Sequence, residues 1–357
     1  MSRGFAAGIA LVLVVAALGR WLAEWTGTAL MGFTKSPVSG VLFAILLGLA
    51  VANLAPAVTQ RTGGALQFFT TTVLRVGIVM LGLRLSLVTA SALGLKALPV
   101  VAVCIVVALA IVTLAGRAFG LSRELGALIA VGTSICGVTA IAATAPLIRA
   151  REVEVSYATA CISLFGLVAL LVYPTIADSL FAGAPQLAGM FLGTAIHDTA
   201  QVAGAGLMYQ EQFHADGALE AATVTKLVRN LCMAFVIPAV ALLHRETERR
   251  DFEAPAVPRA PPVPLFVVGF VVCCALRTLG DMSETPFGMI SESAWRGFLQ
   301  LSQIVSEWAL TIAMAAVGLA TRLGAFRALG WRPLALGLLA AGLVGMVSAI
   351  TISSSFS

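Results

Sequence analysis

Two short motifs carry side chains that could bind or move a charged group within a chain that is 59% hydrophobic. The first reads GTSICG over residues 132–137, and the second reads GTAIHD over residues 193–198. Both follow the pattern Gly-Thr-small-Ile, and each then places a reactive side chain, Cys136 or His197. Lipid offers no hydrogen-bond partners, so polar, glycine-broken sequence at membrane depth is usually kept where it lines a cavity or binds something.

The first motif has the chemistry of an anion site. A helix break here would expose backbone N–H groups at a helix end, together with the hydroxyls of Thr133, Ser134 and Thr139. Helix N-termini carry a partial positive charge and bind anions, and Gly132 and Gly137 would permit the close approach of the backbone. The alternative is that Ser and Thr bond carbonyls one turn back in an ordinary packed helix.

The second motif could carry protons. An acid such as Asp198 is expensive within an apolar segment and is functional by default, and His197 beside it belongs to the residue type that titrates near neutral pH. Gln201 follows three to four residues on and would share a helical face with both. The pair could also orient a substrate, or form a structural His–Asp hydrogen bond between helices.

Basic residues within the apolar segments favour an anionic substrate. Lys226 and Arg229 lie on one face of an apolar helix, so they either snorkel to the cytoplasmic side or point at a cavity. Arg75 and Arg84 lie in the third segment, and Glu307 is a candidate partner for one of these bases.

Composition predicts a polytopic, all-α membrane protein. The 357 residues are only 11% charged, with a mean hydropathy of +0.99, whereas soluble domains have about 25% charged residues. A span needs about 20 apolar residues, and the windows predict about 9–11 transmembrane segments. The net charge of +5 does not indicate nucleic acid, since excess Lys and Arg normally mark cytoplasmic loops. These windows lie near residues 5–22, 38–55, 68–87, 98–115, 126–148, 155–176, 187–209, 219–243, 265–279, 304–320 and 334–350.

Residues 1–357 read as one membrane domain, with a first half over 1–180, a second half over 187–357 and a charged, proline-rich cytoplasmic linker over 244–264. The basic, apolar N-terminus is expected to be an uncleaved first helix, because Arg20 and two Trp follow it instead of a small-residue cleavage site. The six Cys show neither a disulfide framework nor metal-ligand spacing, so no metal or cofactor is predicted.

Repeats and charge pattern predict how the two motif segments enter the membrane. Residues 82–98 match 318–334 in places, and weak internal symmetry is typical of secondary transporters. Basic loops flank the first motif segment, whereas the loops beside the second have no Lys or Arg. If the first segment dips in from the cytoplasm and the second from outside, every loop obeys the positive-inside rule. The segments would then be re-entrant hairpins or broken helices; the alternative is two ordinary crossings. The N-terminus is expected in the cytoplasm.

The GTSICG motif, the IHD-x-x-QV motif and the sequence Lys226-Leu-Val-Arg229 together resemble a family of bacterial inner-membrane proteins named as sulfate exporters. The resemblance runs from the second helix to the last. It implies a fold similar to the sodium/proton antiporter and bile-acid symporter superfamily, with inverted repeats and crossed discontinuous helices. This chain departs from the family pattern at Asp198, where Glu is usual, and at Val138, where a further small residue is usual.

These features predict a secondary transporter of a small anion (sulfate, a sulfonate or a related anion), working by alternating access, in the direction of export and with proton coupling through His197 and Asp198. The alternatives are a passive channel, a sensor subunit, or an intramembrane hydrolase with a Cys136–His197 nucleophile–base pair. A primary pump is not expected, because no phosphate-binding loop motif is present.

Expected partners are the anion, the lipid bilayer and a second copy in a homodimer. The predicted substrate-binding residues are Gly132, Thr133, Ser134, Cys136, Gly137, Thr139, Thr194, His197, Asp198, Gln201, Lys226 and Arg229.

Overall fold

The computed structural model describes residues 3–32, 36, 38–247, 264–283, 285–324 and 330–356, and this part of the chain contains helices and no strand. The helices are α1 (Arg3–Trp25), α2 (Gly40–Leu54), α3 (Pro56–Arg61), α4 (Gly63–Phe68), α5 (Leu74–Leu81), α6 (Leu87–Ala118), α7 (Arg123–Ser134), α8 (Val138–Thr144), α9 (Glu152–Phe181), α10 (Pro185–Ala195), α11 (Thr199–Phe213), α12 (Ala218–Leu231), α13 (Met233–Thr247), α14 (Leu265–Gly280), α15 (Glu292–Ala320) and α16 (Trp331–Phe356). The predicted all-α class is confirmed.

Six helical segments of the described chain are long and apolar enough to cross a membrane, and α12 and α13, bent by 40° at the break between them, count as a seventh if the pair crosses as one span. Two shorter apolar helices are α2 and α14. A polytopic membrane protein is therefore confirmed. Fewer segments pass this test than the windows predicted, because the arms of the two motif segments and the helices α2 and α14 are each shorter than 18 residues.

Several helix boundaries differ from the apolar windows. The helix predicted over 304–320 begins at Glu292, because its polar first turns continue the helix beyond the apolar stretch. The window at 98–115 is the middle of the longer helix α6. The single helix predicted over 219–243 is interrupted at Cys232. Most of the predicted linker, residues 248–263, lies outside the described residues.

The helices form two packed groups. One group, the scaffold bundle, consists of α1, α2, α4, α5, α14 and α15. The other, the hairpin bundle, consists of α6 to α12 and α16, with the two motif segments at its centre. Small residues allow close helix contacts in membranes, and this applies between α2 and α15, where a Cβ on Gly318 would meet the carbonyl of Ile45.

Gly318→Ala is expected to destabilise the scaffold bundle by about 1–3 kcal/mol, because the added methyl group would press on backbone atoms that cannot rotate away. Gly297→Ala in the same helix is the matched control, since no atom lies within 4 Å of its added Cβ. Unfolding midpoints in detergent would measure both. An equal midpoint for the two variants would show that this glycine contact does not limit stability.

The second motif segment is a re-entrant hairpin, named here hairpin two (α10–α11). Gly189 on α10 and Gly206 on α11 both face Ala222 of α12. Further along α12, Asn230 Nδ2 donates to Thr199 Oγ1 (3.2 Å) at the start of α11. On α10, Gly193 faces Thr225 of α12, so α10 runs parallel to α12 and α11 runs antiparallel to it. The start of α10 and the end of α11 therefore both lie at the start of α12.

The first motif segment folds back in the same way and is named hairpin one (α7–α8). Ser122, just before α7, donates to Glu154 (2.6 Å) at the start of α9. At the other end of α7, Gly132 faces both Ile162 of α9 and Ile141 of α8. α8 therefore packs back against α7, and the chain then returns to the start of α9.

The two hairpins enter the hairpin bundle from opposite ends of α9. The base of hairpin one lies at the start of α9, whereas Tyr209 of hairpin two reaches Asp178 near its end (3.4 Å). The tip of hairpin two reaches Ser163 through Gln201 (3.4 Å). Of the arrangements left open by the sequence, the described residues adopt the pair of opposed re-entrant hairpins.

Candidate functional site

The two hairpin tips are the turns between the arms. In hairpin one, α7 ends at Ser134 and a positive φ of 65° at Gly137 lets the chain reverse into α8. In hairpin two, α10 ends at Ala195 and the extended Ile196 leads to Asp198, the N-cap of α11. Ser134 and Ala195 occupy equivalent positions in the two motifs, so the sequence match also aligns the helix ends.

Lys226 of α12 joins the two tips. Its side chain is fully buried, and Nζ donates to the carbonyls of Ile135 (3.0 Å), Ile196 (3.0 Å) and His197. An ammonium group has three donors, so all of its hydrogen-bonding capacity is directed at the hairpin tips.

Arg229, one turn further along α12, completes this connection. Its fully buried guanidinium donates from Nε to the carbonyl of Ser134 (2.7 Å), from Nη1 to those of Thr194 (2.7 Å) and Ile196 (3.0 Å), and from Nη2 to that of Thr133. The last carbonyls of a helix have no partner within it and carry partial negative charge. The two cations therefore cap the C-terminal ends of α7 and α10, and neither snorkels.

Most hydroxyls of the motifs bond to helix carbonyls. Ser134 Oγ donates to the carbonyl of Val131 (3.2 Å), and Thr194 Oγ1 to that of Met190 (2.8 Å). The packed-helix alternative thus describes these two residues. By contrast, Thr133 Oγ1 is buried with no hydrogen-bond partner among the described residues.

The His197–Asp198 pair does not form the structural hydrogen bond that was the alternative. Asp198 Oδ1 instead accepts from the backbone N–H of Ala200 (2.8 Å). His197 is fully buried, and neither ring nitrogen has a partner within the described chain. The expected helical face shared by His197 and Gln201 is also wrong, because α11 begins only at Thr199, whereas Asp198 is the N-cap of that helix.

The starts of α8 and α11 form a partly exposed face of the two hairpin tips, named here the accessible face. Asp198 and Thr199 are half-buried at the start of α11, and Val138 and Thr139 are exposed at the start of α8. These residues lie at the N-terminal ends of α8 and α11, the second arms of the hairpins. Lys226 and Arg229 instead cap the C-terminal ends of the first arms, α7 and α10. A ligand on the accessible face would therefore meet N–H ends of helices beside Asp198.

Cys136 is buried and its Sγ contacts Met233 Sδ at 3.5 Å. The hydrolase alternative requires a hydrogen bond between Cys136 and His197, and these two described side chains do not form one. The motif glycine Gly193 serves helix packing, since a Cβ on it would lie 2.7 Å from the carbonyl oxygen of Ala222.

Two residues at the tips were missed from the sequence. Asn230 bonds Thr199, and its own Oδ1 is buried without a partner among the described residues. Asn230 lies four residues after Lys226 in an apolar helix, and this spacing could have indicated that both side chains share one helix face. Ser348 of α16 lies 2.5 Å from Thr194, and no sequence signal indicated that contact.

A second polar cluster connects the two bundles at the base of hairpin two. Arg84, in the turn between α5 and α6, pairs with Glu220 of α12 (2.5 Å) and with Glu307 of α15 (3.3 Å), and reaches Gln210 of α11 (3.5 Å). The expected partnership of Glu307 with a base is thus confirmed for Arg84. Arg75 lies away from both clusters, over the ring of Phe266.

Ser39 makes a further link between the bundles at this end, since its Oγ donates to Glu211 of hairpin two (2.7 Å). Neither Glu211 nor Glu220 had been singled out from the sequence. No group of three or more His, Cys, Asp or Glu suited to a metal ion occurs in the described part of the chain.

The known proteins to which this chain is similar are named as membrane proteins, in agreement with the fold. Residues 7–337 match the family described as conserved hypothetical protein 698. The UPF0324 membrane protein TauZ of Paracoccus pantotrophus is 32% identical over 332 residues, which cover 92% of this chain and 89% of that protein. The UPF0324 membrane protein CT0845 of Chlorobaculum tepidum is 31% identical over 334 residues (92% and 84%), and spr0034 of Streptococcus pneumoniae is 33% identical over 288 residues (80% and 81%).

Proposed function

The chain belongs to the family described as conserved hypothetical protein 698, and we propose that it is a secondary transporter of a small anion. Sulfate and sulfonates are the anions that the sulfate exporter resemblance suggests, and export is the direction it suggests. The site would lie at the hairpin tips.

The observation that carries this proposal is the charge at the tips. Lys226 and Arg229 are fully buried, and their described hydrogen-bond partners are all backbone carbonyls. The half-buried Asp198 is the acid beside them. Buried charge without full compensation is costly, and two cations beside one acid leave a net positive charge that would favour an anion over a cation. The N-terminus of α11 adds partial positive charge on the accessible face.

Asp198 supplies a means of coupling anion binding to a proton. Its carboxylate caps α11 through Ala200 and would repel an anion on the accessible face. Protonation removes that repulsion, so protonation and anion binding favour each other and the two would cross together. Export would then run where the outward anion gradient exceeds the opposing proton gradient. His197, whose ring has no described hydrogen-bond partner, is the neighbouring group that could exchange the proton.

Alternating access would arise from movement of the hairpin bundle against the scaffold bundle. The opposed hairpins, which share one motif, support an inverted-repeat architecture of the kind found in secondary transporters. The base of hairpin one is flanked by Arg117, Arg123, Arg149 and Arg151. The positive-inside rule therefore favours a cytoplasmic location for this end, in a bacterial inner membrane, with the start of α1 on the same side.

The cluster around Arg84 would close the opposite end. Arg84→Gln is expected to speed backbone hydrogen exchange at the start of α12, because Glu220 and Glu307 lose their shared partner. Arg296→Gln is the control, since its pair with Glu292 is exposed and such pairs contribute only about 0–1 kcal/mol. Exchange rates at α12 that match in the two variants would argue against a gate at this cluster.

The direct test of the site is a thermal-shift screen of the purified protein in detergent with sulfate, sulfite, thiosulfate, taurine, sulfoacetate and bicarbonate. A ligand that binds only the folded state raises its stability. We expect one anion to raise the melting temperature of the wild type, and Thr133→Ala to weaken that shift. If none of these anions shifts the melting temperature and a cation does, the anion proposal is wrong.

A further inference from the structure

A cavity of about 460 Å³ lies at the base of hairpin one, away from the hairpin tips. Three chain segments line it: residues 120–125 at the start of α7, residues 151–157 at the start of α9, and residues 330–333 at the start of α16. Three helices thus begin at one cavity, and each helix start carries partial positive charge.

Two Arg side chains and one acid, Glu154, line this cavity, so its charged side chains carry a net positive charge. Arg151 is 77% exposed and makes an ion pair with Glu154 (2.8 Å). Glu154 is buried, and its oxygens also accept from Ser122 and from the backbone N–H of Arg151. The acid is therefore satisfied from within the protein. Arg332 lies over the ring of Trp331 at 5.7 Å and forms no ion pair with an acid of the described residues, so it adds a positive charge to the cavity.

The other wall of the cavity is apolar and faces outward. Val153 is 59% exposed and Trp331 is 68% exposed. Both lie in the first turn of helices that are long enough to span a membrane, α9 and α16. Trp is enriched at the level of lipid head groups. The cavity thus joins basic groups at a helix end to an apolar surface that runs along the spans.

We propose that this cavity binds the head group of an anionic phospholipid. Arg332 and Arg151 would contact the phosphate, and an acyl chain would lie along Val153 and Trp331. Basic pockets between transmembrane helices on the cytoplasmic side are known to take anionic head groups, and the loops at this end are basic. A bound lipid would tie the base of hairpin one to α16 and so stabilise the hairpin bundle.

The experiment compares melting temperatures of the full-length protein in neutral detergent with added phosphatidylglycerol, phosphatidylcholine or inorganic phosphate. We expect phosphatidylglycerol to raise the melting temperature more than either of the others. We expect Arg332→Gln to lose at least half of that shift, and Arg296→Gln, at the opposite end, to keep it. Arg332→Gln is preferred to a change at Arg151, which would also break the contacts of Glu154.

Other outcomes would overturn the proposal. Equal shifts with phosphatidylcholine would indicate general solvation by lipid, and an equal shift with phosphate alone would indicate a free-anion site. An undiminished phosphatidylglycerol shift in Arg332→Gln would place lipid elsewhere. If Arg332→Gln does not fold, Arg332→Lys, which keeps the charge, should retain part of the shift, and Val153→Gln should reduce it. Failure of either variant to do so contradicts the proposal. The anion screen at the hairpin tips is independent of these outcomes.

Discussion

Arg229→Met is expected to lower the free energy of unfolding by about 3–5 kcal/mol, as breaking a buried charged contact typically does. The change removes hydrogen bonds to the carbonyls of Ser134, Thr194 and Thr133 at the ends of two helices. Each buried carbonyl left without a donor costs about 1–3 kcal/mol. Arg229→Lys should recover little, because an ammonium group cannot reproduce the spread of guanidinium donors.

Denaturant unfolding in detergent would measure this loss, with Arg296→Met as the exposed control. Lys226→Met should also be destabilising, and the two changes should not add, because both side chains bond the carbonyl of Ile196. Contacting residues typically show coupling energies of about 0.5–3 kcal/mol. Strict additivity, or a midpoint for Arg229→Met equal to that of the control, would mean that α12 does not hold the tips together.

Asp198→Asn is expected to abolish the pH dependence of anion binding while the protein remains folded. Asn is as good an N-cap as Asp, so the contact with Ala200 should persist. In the wild type, falling pH protonates Asp198, removes its repulsion and strengthens anion binding. We expect affinity at least about tenfold higher at pH 5.5 than at pH 8, equivalent to about 1.4 kcal/mol, and a ratio near one in Asp198→Asn.

Titration calorimetry with the anion found in the screen would measure both affinities. Asp178→Asn, at the far end of α9, is the matched control and should keep the wild-type pH dependence. Asp198→Ala should additionally lose the cap, at about 1 kcal/mol of stability. An unchanged pH dependence in Asp198→Asn would remove Asp198 from the coupling step.

The sequence predicted the hairpin tips well because backbone breaks leave a local trace. In the two motifs, glycine, small residues and polar residues cluster where a helix stops, so the match between the motifs aligned the ends of α7 and α10 at Ser134 and Ala195. The opposite directions of the hairpins were predicted from loop charge, which is set by which loops remain outside the membrane.

Long-range contacts could not be predicted in the same way. The spacing of Lys226 and Arg229 showed that they share a helix face, but the partners of that face come from segments about 30 and 90 residues away in sequence. The relation of His197 to Gln201 was wrong because helical periodicity was applied across a break. Polar contacts between the bundles, such as Ser39 with Glu211, leave no periodic pattern at all.

Anion flux in proteoliposomes tests the central claim most directly. Radiolabelled sulfate, thiosulfate or sulfonate would be followed into vesicles containing wild-type protein, with and without unlabelled anion inside and with the pH varied. We expect saturable uptake of at least one anion, acceleration by the same anion on the far side, and a pH dependence that Asp198→Asn removes. If no anion moves, or if flux is unsaturable and indifferent to the far-side anion, the protein is not a secondary transporter of a small anion.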